Sequence, residues 1–113
     1  MHADASQVPC HIFDPYARYK SWDSVFIAVG FNVGYGSSKD KAFSRAVNPE
    51  YAADETSKAI SLVGCACRAF SEHAGRKYAM AVSVPSDFPR LPETIFAFED
   101  AVTRDTFVHR LQV

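Results

Sequence analysis

No stretch of this chain is apolar over anything near the ~20 residues that a membrane-spanning helix needs. Its start, Met1-His2-Ala3-Asp4-Ala5-Ser6, lacks the basic residues and the apolar run of a secretory signal. These two absences set the expectation of a soluble, cytoplasmic protein. An excess of one charge is missing as well: 12 Lys and Arg face 13 Asp and Glu. No global field therefore draws the molecule to nucleic acid or to an anionic membrane. Only residues 37–77 lean basic, with seven cations against five anions.

Cysteine is scarce and odd in number. Cys10, Cys65 and Cys67 are three, which reads as free thiols in a reducing compartment and not as a disulfide framework. Cys10, His11, Cys65 and Cys67 have the donor chemistry of a zinc site, but Cys-x-Cys is not a knuckle spacing. On a helix, positions 65 and 67 would also lie about 200° apart. No metal and no cofactor is expected. What remains is an ordinary globular composition, 48% apolar and 22% charged over 113 residues, enough for one domain spanning 1–113. Residues 1–13 show no sustained periodicity and read as an irregular arm.

Along the chain, Asp14-Pro15 has the form of a helix start and predicts a short helix at about 15–22. Val25, Ile27, Val29, Phe31, Val33 and Tyr35 then occupy every second position, the period of a strand with one buried face. The other face carries Ala28, Gly30, Asn32, Gly34 and Gly36, small enough for another backbone to pack closely. Ser37 and Ser38 can cap a helix at 39–47, although Phe43, Arg45 and Val47 also alternate as a return strand would. Asn48-Pro49 repeats the start signal for a long helix to His73, with Gly75 as its stop. Thr56, Ile60, Val63, Cys67, Phe70 and Ala74 form the apolar stripe of that helix. Tyr78, Met80, Val82 and Val84 predict a second strand ended by Pro85, Phe96 and Phe98 a third at 94–98, and 100–111 a closing helix with Asp100 and Arg104 on its solvated side. The expected architecture is α+β: a small, partly antiparallel sheet of three to four strands, covered by a long central helix and a C-terminal helix.

No arrangement of residues calls for catalysis. Cys65 and His73 on one helix would be about 12 Å apart along the axis. Cys10 and His11 sit in the arm, and His109 has no neighbour of matching chemistry nearby in sequence. No catalytic residue is assigned, and a thiol enzyme using Cys65 or Cys10 is the least favoured class. Two surfaces suit recognition. Ser57, Ser61, Gly64, Cys65 and Arg68 would share the outer face of the long helix. Asp87 and Arg90 lie in a stretch held stiff by Pro85, Pro89 and Pro92, where little entropy is lost on binding.

The segment from Gly34 to Ala42 places amides, hydroxyls and ammonium groups where a strand turns into a helix, a geometry that can hold an anion. Gly34, Gly36, Ser38, Lys39 and Ala42 resemble the end of a double-stranded RNA-binding domain, in which a strand enters a helix whose N-terminus grips phosphates. Asp40 and Phe43 stand where that family has further lysines. The resemblance covers about 14 of the 113 residues and implies RNA or phosphate-ligand binding through Gly36, Ser37, Ser38, Lys39, Lys41 and Arg45. The leading expectation is a non-enzymatic interaction module that binds a protein partner or a second copy of itself by surface complementarity, with the RNA or phosphate binder as the alternative.

Overall fold

A computed structural model describes residues 7–15, 21–48, 57–84 and 93–112. Seven strands and two helices account for most of them: β1 (Val8–Asp14), β2 (Ser21–Val29), β3 (Asn32–Gly36), α1 (Lys39–Val47), β4 (Ser57–Ser61), β5 (Ala66–His73), β6 (Arg76–Ser83), β7 (Glu93–Ala97) and α2 (Ala101–Gln112). The assigned strand pairings are antiparallel. The expected sheet of three to four strands under a long central helix is therefore wrong. Among the described residues the strands are seven, and the helices have nine and twelve residues. Neither helix is long and apolar enough to cross a membrane.

The chain packs as two compact units, one containing residues 24–62 and the other residues 10–23 and 63–113. In the first, the strand order is β4-β3-β2. The single strand expected from 25 to 36 is a hairpin that pairs Val29 with Val33 and Ala28 with Gly34. Because the turn keeps paired positions in step, Ile27, Val29, Val33 and Tyr35 still share a face. Alternation thus runs through the turn without revealing it. Phe31, expected on the buried face, lies in the turn and is 59% exposed. The small-residue face does admit another backbone, that of α1. A Cβ on Gly34 would lie 2.3 Å from the Ala46 nitrogen and 2.4 Å from the Ala42 oxygen. Ala28, Ala42 and Ala46 form the buried contact, with Phe26 and Val47 at its rim. Of the two readings of 39–47, the helix is the one that forms. Asn48 closes it, donating its N–H to the Ser44 carbonyl, and does not start a second helix.

In the second unit the order is β1-β7-β6-β5. The expected irregular arm contributes β1, in which Cys10 is buried; residues 1–6 lie outside the described residues. Residues 16–20 of the expected helix at 15–22 also lie outside them, and Ser21 and Trp22 open β2. Residues 49–56 lie outside them too, and the remainder of the supposed long helix is β4, a turn and β5. Gly64 breaks it: with φ at 72° it holds a left-handed turn, which glycine adopts without cost. Gly75 ends no helix but completes the two-residue β5–β6 turn with Ala74, both at positive φ (85° and 47°), the type I′ geometry that suits hairpin twist. The strands expected near 78–84 and 94–98 are present as β6 and β7.

The closing helix is present as α2, but turned. Val102 is 77% exposed, whereas Phe107 and Leu111 are buried. Phe107 stacks on Phe98 at 5.2 Å. Arg104, expected in solvent, instead points inward and donates from one guanidinium nitrogen to the carbonyls of Phe70 at 2.7 Å and Ala79 at 3.3 Å. Asp105 takes its Nε at 2.6 Å. Those carbonyls border the point where Tyr78, at φ 57°, interrupts the β5–β6 ladder opposite Ser71.

Candidate interaction surface

At the turn into α1, Ser38 is the N-cap, and its hydroxyl accepts the Lys41 N–H at 3.2 Å. The cap thereby occupies one of the amides that an anion would use. Ser37 and Lys39 are exposed and Lys41 is half-buried, but Gly36 and Arg45 are buried. Two residues along the helix, Lys39 and Lys41 project about 160° apart around its axis. The glycine that carried the RNA-binding resemblance is explained by α1 lying on it. The residues of the expected anion site therefore do not share one exposed surface.

The expected helical patch has no helix to lie on. Ser57 is buried in β4, Ser61 is exposed at that strand's end, Gly64 and Cys65 belong to the turn, and Arg68 projects from β5. Asp87 and Arg90 lie outside the described residues. The three thiols are free and poorly suited to nucleophilic work. Burial pushes Cys10 up to about 12 and Cys67 up to about 11, with Cys65 adding to the latter, and burial also raises Cys65. Among the described residues, no three His, Cys, Asp or Glu side chains gather as metal ligands.

Arg68 does sit in a built environment, in the second unit. Its guanidinium lies 4.5 Å from the Phe70 ring centroid, while Glu93 holds it with three contacts of 3.0–3.2 Å. From Phe70 a group of ring contacts continues: Phe70 stacks near His73 at 6.1 Å, His73 meets Phe13 edge-on at 4.8 Å, and Phe13 meets Trp22 at 5.2 Å. All four rings are half-buried, and Arg68 is 63% exposed.

A straight sheet would not assemble this group. Register carries Phe13 to the line of Ile95, Ala81 and Arg68. His73 lies five residues farther along β5, roughly 16 Å away at about 3.3 Å per residue. The rings nevertheless touch: past the missing Ser71–Tyr78 rung, where Tyr78 has φ 57°, His73 meets Phe13 and Trp22 at the hairpin tip. There the Trp22 indole N–H donates to the Ala74 carbonyl at 3.2 Å.

Sequence reasoning named Arg68 but missed Phe13, Trp22, Phe70 and His73, having placed Phe13 in the arm and the last two on a helix. The available signal was a lone tryptophan close to a phenylalanine, in a region with no other expected role. Compared with known proteins, the chain matches no family model and no curated sequence.

Proposed function

We propose that this protein is a non-enzymatic interaction module, of inhibitor, adaptor or accessory type, that docks a protein partner in the cytoplasm through Phe13, Trp22 and Phe70, with Arg68 and Glu93 at the rim. The observation that supports the reading is the half-exposed ring cluster flanked by an arginine. Aromatic side chains and arginine are the residues enriched where protein interfaces concentrate their energy, and rings held by one another lose little entropy on binding. The rim pair of Arg68 and Glu93 offers both signs of charge to fix the orientation of a partner.

The test is native mass measurement of the tagged chain recovered from its own cells, with and without nuclease, alongside Phe70→Ala and Arg68→Glu. The reading expects a nuclease-resistant protein complex, which Phe70→Ala weakens by about 30-fold or more, as loss of a hot-spot residue does. A complex that dissolves with nuclease would favour the RNA alternative, and an unaffected complex in both variants would remove this surface.

A further inference from the structure

We infer that residues 72–77, the tip of the β5–β6 hairpin, form a hinged flap that closes over the aromatic cluster. Three features meet in this one hairpin. Ala74 and Tyr78 are the non-glycine residues with positive φ among the described residues, and they stand at the turn and at the base of the tip. The ladder lacks a rung opposite Tyr78, yet resumes as Glu72–Lys77 and His73–Arg76 beyond it. The tip is therefore a short ladder joined to the sheet by a kinked pair of residues. Arg104 clamps the sheet side of the kink by holding the Phe70 and Ala79 carbonyls. Bending can therefore concentrate at Ser71 and Tyr78 while the strands below stay fixed.

The tip is lightly attached. Glu72, Ala74, Gly75, Arg76 and Lys77 are exposed, and His73 is the residue of this segment that reaches the rings. A polar contact ties the tip to the cluster, the Trp22 indole N–H donating to the Ala74 carbonyl. A segment with few buried contacts and strained backbone opens at lower free energy than the sheet beneath it. Opening removes His73 from Phe13, Trp22 and Phe70 and leaves their ring faces to an incoming side chain. Its role as a gate rests on the docking function proposed above, whereas the motion itself is read without any partner.

Hydrogen exchange of the full chain across low urea concentrations tests it. Amides of residues 72–77 are expected to exchange by a urea-insensitive opening, roughly 100-fold faster than those of Met80–Val82. Trp22→Phe keeps a ring and removes the indole donor. It should raise the rate at the tip by about three- to tenfold, the value of one hydrogen bond, and leave Met80–Val82 unchanged. Tip amides that share the urea dependence of Met80–Val82 would overturn the flap in the native chain, whatever the variant does. An unchanged tip rate in a folded Trp22→Phe protein would overturn the latch.

Discussion

The two helices are seated on their strands in opposite ways. Helix α1 lies backbone to backbone on β3, with Gly34 beneath Ala42 and Ala46. Helix α2 stands off on larger groups: Phe107 against Phe98, Leu111 buried, and Arg104 reaching down to two strand carbonyls. The first contact gains from dispersion at close range and tolerates no added atom. The second gains from apolar area and from satisfying carbonyls left by a kink. Mutational sensitivity should divide accordingly, with additions costly at α1 and deletions costly at α2.

The largest effect is expected at α2. Phe107→Ala should destabilise by about 4 kcal/mol, the usual cost of emptying an aromatic site, seen as a lower urea midpoint. Gly34→Ala comes next at about 3 kcal/mol, because its methyl would overlap helix backbone that cannot rotate aside. A comparable loss in Ala79→Gly, an added flexibility without a clash, would blur the distinction. Arg104→Ala strips the donor from the Phe70 and Ala79 carbonyls and should cost about 2 kcal/mol, with faster exchange confined at first to β5 and β6. Ala74→Gly has the opposite sign. It relieves a left-handed alanine and should stabilise by about 0.5 kcal/mol, readable as a small rise in thermal midpoint.

The smallest effect concerns acid. Asp100 accepts the Thr103 N–H at 2.7 Å, and that hydrogen bond holds its carboxyl below the ordinary aspartate range. A carboxylate with a lowered folded-state pKa contributes stability that is complete above the unfolded value. The contribution disappears as pH falls through the folded one. The stability gap between the wild type and Asp100→Ala should therefore be constant at neutral pH and narrow below about pH 4. A gap that widens on acidification would contradict the assignment.

Some of this was legible in the residues alone. Ser38 as a cap, the alternation of β6 and the phenylalanines at 96 and 98 are local signals, and a helix and two strands formed near them. The sheet's extent was hidden for identifiable reasons. Thr56, Ile60, Val63, Cys67, Phe70 and Ala74 fit a helical stripe, yet a strand, a turn and another strand can carry the same spacing. Gly64 was the contrary sign, a residue costly inside a helix and natural in a left-handed turn. In β1, Cys10 is buried but His11 and Ile12 are both half-covered, so no clean alternation marks the strand. The ring cluster could not be read at all, because it joins residues of β1, β2 and β5 through tertiary contacts that no local signal announces.

The β2–β3 turn imposes a parity on this molecule. With Val29 opposite Val33, one inserted residue in the turn would exchange the two faces of β3, sending Gly34 away from α1 and driving Val33 or Tyr35 into its backbone. Two inserted residues would restore the faces. Loop length here is thus quantised in steps of two, and lineages of this chain should vary at that turn by even numbers or hardly at all.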